Sequence, residues 1–485
     1  MMDLKRKTVE GVIWKGGSET LNEAVRFVFS VILARLLFPH DFGTMATATI
    51  FIDVVTAFTD LGMGAAIIKF KKLEKEHLST AFWSNLMVGI TLCIVGIISA
   101  PYLAIFFKNE DLRDVMKVLS LGFIIGSLAM VHTVQLTRSL DFKINGIAQV
   151  GGTVCFGLIS IPMVLMGFGV WSLVWGTLGS RLFIIVTIWL VVPWRPSFEF
   201  SSRHFKELFG FGAYTLGTTI MSSICLNVDI FIIGRYLGST SLGLYLAALN
   251  LSTLPVRKVA STIRSVTFPS FSRVQDDDEM IRRVHLKNIS YISLVSFPLL
   301  AGLSVVSHDF IRVVYGQKWI GAAVPLQFLC WAGLLRTITV SFGTIYQVKG
   351  KPDIDFKIQI ARFIFLTVAI LGLFRYGFIG ISIGILIATF LVFVVSQYFV
   401  NQMIGLTYKI FWQTLRPVIV GTLSIVVTVG IYRYAMVQYL SMGHAFRLFS
   451  SVIVGAMAYS LSLWFSQADL VGELTELVVS TVRSM

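Results

Sequence analysis

The sequence predicts an all-α integral membrane protein of about 14 transmembrane helices, arranged as two pseudo-symmetric six-helix lobes plus two C-terminal helices. Three observations predict it. Hydrophobic residues make up 55% of the chain and charged residues only 14%, apolar surface that a bilayer can solvate and a soluble core cannot bury. The chain divides into apolar stretches of about 20 residues, the length that crosses a hydrocarbon core of about 30 Å. It also repeats itself. Residues 31–43 return as 231–243, with Ile32, Arg35, Leu37, Gly43 and Ala48 matching Ile232, Arg235, Leu237, Gly243 and Ala248 without a gap. Asp141-Phe142-Lys143-Ile144 returns as Asp355-Phe356-Lys357-Ile358, and Gly167, Phe168 and Ser172 return as Gly377, Phe378 and Ser382. Three echoes in one order indicate a duplication.

Taken in order, the first six spans fall at 15–37, 42–66, 79–100, 114–134, 145–166 and 169–192, giving an N-lobe over 1–192. A polar, basic linker occupies 193–208. The C-lobe, 209–400, holds spans at 209–234, 241–262, 287–307, 322–346, 358–375 and 378–400. Two further spans, 416–437 and 445–466, lie within 401–466, and the tail 467–485 is too polar to cross. The basic N-terminus (Lys5, Arg6, Lys7) is followed by no short apolar core with a small-residue cleavage site, so the first span reads as a retained helix.

Charge sets the orientation. With the N-terminus inside, inner segments carry 26 of the 40 Lys and Arg, which predicts cytoplasmic termini. An even number of spans per half then relates the halves by an axis along the membrane normal. The longest outer loops, 101–113 and 308–321, have no room for an external domain. In the inner loop 263–286, Met280, Ile281 and Val284 set against Arg282, Arg283 and His285 suggest a short interfacial helix.

An ionisable residue at mid-bilayer costs roughly 2.5–3.5 kcal/mol on insertion scales, so each one is a candidate for function. Span 1 carries Glu19, Asn22, Glu23, Arg26 and Ser30 on one stripe, where Glu23 and Arg26 can pair across a turn. Span 2 carries Thr49, Asp53, Thr56 and Asp60. Span 7 carries Thr218, Ser222, Cys225 and Asp229, and span 8 Asn250, Thr253, Arg257, Ser261 and Arg264. Arg181, Arg336 and Arg362 lie inside spans 6, 10 and 11. If the first two helices of each half face one another, these stripes line a water-filled cavity; the competing reading is buried structural pairing. Arg257 and Arg264 also suit the cytosolic end of span 8, and Arg35 and Arg235 suit the outer headgroup zone.

Other readings fail on chemistry. The net charge of +14 sits between apolar spans and forms no basic-aromatic patch, so no nucleic acid is expected. Cys93, Cys155, Cys225 and Cys330 lie within apolar spans and form no CxxC pair. Asp276-Asp277-Asp278-Glu279 reads as a solvated stretch of inner loop. His132 has no partner spaced for a metal, and no phosphate loop of the GxxxxGK[ST] type occurs. No cofactor is expected, and no aqueous loop is large enough for an enzyme's active site. Gly210, Gly212 and Gly217, like Gly16-Gly17, fit close helix packing.

Several short motifs carry a family resemblance. Ala34-Arg35-Leu36-Leu37-x-Pro39-x-Asp41-Phe42-Gly43 resembles the first hairpin of polysaccharide transporter family flippases, in the multidrug/oligosaccharidyl-lipid/polysaccharide exporter superfamily. Leu140-Asp141-Phe142, Phe268-Pro269-x-Phe271-x-x-Val274-Gln275-Asp276-Asp277 and Val314-Tyr315-Gly316-x-Lys318-Trp319 are similar to the colanic-acid exporter type, and the resemblance covers roughly 5–410. It implies a bacterial inner-membrane flippase, not an enzyme, that moves an undecaprenyl-diphosphate-linked oligosaccharide across the bilayer by alternating access of two lobes. Arg26, Arg181, Arg257, Arg336 and Arg362 are then candidates for contacts to diphosphate and sugar acid. Glu23, Asp53 and Asp229 are candidates for coupling to H+ or Na+. A polysaccharide polymerase and chain-length machinery are candidate partners, and spans 13 and 14 a candidate groove for the lipid tail. The rival within the superfamily is a drug or metabolite antiporter, which would favour a carboxylate-lined cavity; the rival outside it is a membrane polymerase.

Overall fold

A computed structural model of the chain describes residues 2–466, except 57, 59–60, 71–72, 140, 274–276 and 440–441. Asp60, Asp276 and the tail 467–485 therefore lie outside the described residues, as do the side chains of Thr218, Ser222, Ser261 and Arg264. All regular structure among the described residues is helical, and the chain divides into two compact units, 1–243 and 244–485.

The first unit contains α1 (Met2–Leu36), α2 (Pro39–Thr56), α3 (Met63–Lys69), α4 (Lys75–Phe107), α5 (Asp111–Arg138), α6 (Phe142–Leu165), α7 (Val170–Val191) and the first part of α8 (Ser202–Arg273). Helix starts follow local chemistry. Pro39 opens α2, where its missing N–H has no helical partner to lose, and Asp41 reaches back to accept the Phe38 N–H at 3.0 Å. Asp141 caps α6 by accepting from Ile144 N at 3.4 Å. Helix α4 packs on α5, α5 on α7, and α6 on both α7 and α1. A buried cluster of Ile52, Phe107, Met116, Phe123, Val174 and Leu178 joins α2, α4, α5 and α7. His132 is fully buried, stacks on Trp189 with centroids 4.5 Å apart and bonds the Trp194 carbonyl at 3.2 Å.

The second unit contains the rest of α8, α9 (Asp278–Val314), α10 (Ala323–Thr339), α11 (Phe342–Val348), α12 (Pro352–Leu373), α13 (Gly377–Ile404), α14 (Tyr408–Tyr439) and α15 (His444–Ser466). Helix α9 packs against α10, α14 and α15; α13 packs against α10 and α12; α14 pairs with α15. A polar hub fastens the last two helices to α9. Asp309, 1% exposed, accepts from Arg433 Nη2 at 2.6 Å and lies 2.6 Å from Nδ1 of His444. Arg433 Nη1 also donates to the Val305 carbonyl.

Three expectations need correction. Span 2 is not one helix: α2 ends at Thr56, and α3 starts after Leu61 and Gly62, whose φ of 47° and 70° breaks any helix. Spans 7 and 8 stand as two helices within α8, on either side of a kink at Gly238 (φ 79°), where only glycine is at ease. Span 10 breaks between α10 and α11. The short interfacial helix at 280–284 is the opening of α9 itself: Asp277 caps it by accepting from Met280 N at 2.9 Å, and Ile281 is buried. By length and composition, 10 helices among the described residues could cross a membrane.

The repeat survives in three dimensions. Gly167 and Gly377 both adopt positive φ (85° and 63°) ahead of α7 and α13, and Ser172 and Ser382 are both fully buried in the first turns that follow.

Candidate transport site

In the first unit, two residues named separately from the sequence come together. Asp53 on α2 and Arg181 on α7 interact electrostatically. Asp53 is exposed and Arg181 half-buried, so the pair sits at the edge of the apolar cluster and not within it. Gly122 of α5 makes the room: a Cβ there would lie 2.5 Å from Nη1 of Arg181. Ile52 and Leu178, one turn or less away, are buried and hold α2 and α7 in register. The arrangement places a guanidinium and a carboxylate of opposite charge on neighbouring helices of an otherwise apolar bundle.

The rest of the stripe behaves variously. Asn22 of α1 accepts from Thr153 Oγ1 of α6 at 2.5 Å, so part of the α1 stripe ties helices together. Glu23 is half-buried and Arg26 exposed. Asp229 is 6% exposed, with Oδ1 against the Ile230 N–H at 2.9 Å. In the second unit Arg257 is exposed, while Arg336 and Arg362 are half-buried on α10 and α12. Sequence reasoning missed Gly122 and Thr153, whose importance lies wholly in what faces them across a helix contact.

The duplicated turns meet inside the first unit. A Cβ at Gly43 would collide with the Ser239 carbonyl, and a Cβ at Gly243 would collide with the Pro39 carbonyl. The repeat pairs 39 with 239 and 43 with 243, so the contact is reciprocal, as in a two-fold interface. Asn109, 7% exposed, bridges it from the α4–α5 turn, donating to Thr44 Oγ1 at 2.8 Å and Ser239 Oγ at 2.7 Å. Arg235 lies over the Phe106 ring at 4.9 Å beside it, an aromatic contact that its position in the sequence did not announce.

In the second unit an apolar pocket of about 890 Å³ opens between α9, α10, α13 and α14, lined by Phe297, Trp331, Phe390, Phe411, Trp412 and Leu415 among others. Of the two helices that correspond to spans 13 and 14, α14 contributes to this lining and α15 does not.

Known proteins share this construction. A 27% identical relative over 423 residues, covering 84% of each chain, is the lipopolysaccharide biosynthesis protein WzxC of Escherichia coli (strain K12). A 26% identical relative over 467 residues, covering 95% of each chain, is the teichuronic acid biosynthesis protein TuaB of Bacillus subtilis (strain 168). Among solved structures, the lipid II flippase MurJ in an inward closed conformation superimposes with a TM-score of 0.78 at 14% identity, covering 96% of this chain and 100% of that one, so the two share an all-α fold. Residues 32–324 match the family model described as polysaccharide biosynthesis protein; they are more than half of the chain, which therefore belongs to that family.

Proposed function

We propose that this protein is a flippase that carries a lipid-linked oligosaccharide across the membrane for polysaccharide synthesis. The observation that carries the reading is the Asp53–Arg181 pair, a charge site kept on helices that otherwise face lipid or apolar core. The relatives' names point to polysaccharide synthesis, and the fold is that of a lipid flippase.

The finer reading names parts. The carrier lipid is undecaprenyl diphosphate. Arg181 takes its diphosphate, and Asp53 takes H+ or Na+. Arg26, Arg336 and Arg362 meet further phosphate or sugar-acid oxygens, and the apolar pocket on α9, α10, α13 and α14 takes the polyprenyl tail. The membrane is the bacterial inner membrane, with both termini cytoplasmic, and a polysaccharide polymerase consumes the delivered unit on the far side.

The test is reconstitution of purified protein in liposomes with a lipid-diphosphate oligosaccharide loaded on one face. The expected result is protein-dependent access of a glycosidase added at the other face, with a rate that responds to a pH or sodium gradient. Folded protein that gives no access would overturn the reading and make cation antiport the next assay.

A further inference from the structure

A second cluster of titratable side chains lies in the first unit, and transport as read above does not use it. The starts of α4 and α8 come together there. Glu74 is the N-cap of α4, and its backbone N–H donates to Nδ1 of His77 at 3.3 Å. His204 of α8 lays its ring against that of His77, with centroids 4.0 Å apart and planes tilted by 41°. The carboxylates cross over: Nε2 of His77 faces Glu207 Oε2 at 3.5 Å, and Nε2 of His204 faces Glu74 Oε2 at 3.5 Å. Nδ1 of His204 is buried and has no hydrogen-bond partner among the described residues.

These separations are informative. A charge-assisted N–H···O bond runs about 2.7–2.9 Å, so both contacts are long for hydrogen bonds. Two ligands held at about 2.0–2.2 Å by one tetrahedral zinc ion sit roughly 3.3–3.5 Å apart, the spacing found between His204 Nε2 and Glu74 Oε2. Ligand atoms of Glu74, His77 and His204 all lie within 4.8 Å of one another. Both histidine side chains are well covered, at 8% and 15% exposure, while Glu74 and Glu207 remain open to solvent and give an entry path.

We infer that Glu74, His77 and His204 form a binding site for a divalent transition metal of the zinc class, which clips the start of α4 to the start of α8. Two imidazoles and a carboxylate suit zinc, cobalt or nickel and disfavour magnesium or calcium. A fourth position is left for water or for Glu207 Oε2. Arg203 Nε lies 3.0 Å from Glu207 Oε1 beside the site. In the metal-free cluster Nδ1 of His77 accepts from the Glu74 N–H, a long 3.3 Å bond.

The test uses tag-free, full-length protein in detergent, titrated with cobalt(II) alone. The expected result is a saturable visible absorption band of a low-coordinate cobalt site, bleached by zinc and lost in both His77→Ala and His204→Ala. In parallel, amide exchange over 74–80 and 201–208 slows at least about tenfold when zinc is added to the unmutated chain. That second reading decides the matter should either variant fold poorly. Absence of a saturable band together with unchanged exchange overturns the site, and so does a band that persists at full strength in both folded variants.

Discussion

The two copies of the duplicated segment are alike where they touch and unlike where charge is concerned. Gly43 and Gly243 each give up a side chain so that the other copy's backbone can approach, at Ser239 and Pro39 respectively. Ala48 and Ala248 are both fully buried. The match then fails. The register that pairs Gly43 with Gly243 pairs Asp53 with Thr253, and the register that pairs Gly167 with Gly377 pairs Arg181 with Leu391. Thr253 turns its hydroxyl to its own helix, at 2.8 Å from the Leu249 carbonyl, and Leu391 is an exposed apolar residue. Duplication thus preserved the turn, which is a matter of backbone shape, while the Asp53 and Arg181 charges belong to one copy alone. A scaffold can be symmetric while its chemistry is one-sided.

That comparison can be broken at several points. The largest effect is expected at Arg181. Charge-assisted hydrogen bonds contribute about 1.5–3 kcal/mol, so Arg181→Ala should slow flipping in liposomes by about 10- to 100-fold, while Leu391→Ala at the matching position stays within about twofold. Equal losses at both positions would erase the asymmetry. Next come the glycines. Gly43→Val and Gly243→Val each force a side chain into backbone and should destabilise by about 1–3 kcal/mol in detergent thermal unfolding. Because both perturb one contact, the double variant should lose less than the sum; strict additivity would mean that the turns act independently. Asn109→Ala removes two buried side-chain bonds and leaves the Thr44 and Ser239 hydroxyls short of a donor, a cost of about 1–2 kcal/mol in the same assay. The smallest change is expected from Arg235→Leu, which forfeits the contact to Phe106 for about 0.5–1 kcal/mol, with Arg235→Lys retaining part of it.

Much of the architecture was legible because bilayer crossing imposes length and polarity on every span. The repeat was legible because the turn's glycines tolerate no substitute. What stayed hidden was tertiary. Asp53 and Arg181 stood out singly, yet nothing in the sequence pairs residues so far apart. Glu23 and Arg26 share a helical spacing that allows a pair across one turn, yet one side chain is half-buried and the other exposed, which the spacing does not reveal. The break after Thr56 depends on left-handed φ at Leu61 and Gly62, a state that an apolar run does not advertise. His77 and His204 escaped notice for the same reason as the pairing of Asp53 with Arg181: motif spacing records only neighbours in sequence.

The Asp309 hub has a consequence for how the chain is made. Helix α9 leaves the ribosome more than a hundred residues before Arg433 and His444 exist. Until α14 and α15 are inserted, the Asp309 carboxylate has neither of these partners, and breaking such a buried pair costs about 3–5 kcal/mol. The final helical hairpin therefore acts as a completion check during biogenesis. A chain cut short after Ile404 should be cleared by membrane quality control even though every helix of the duplicated halves is present.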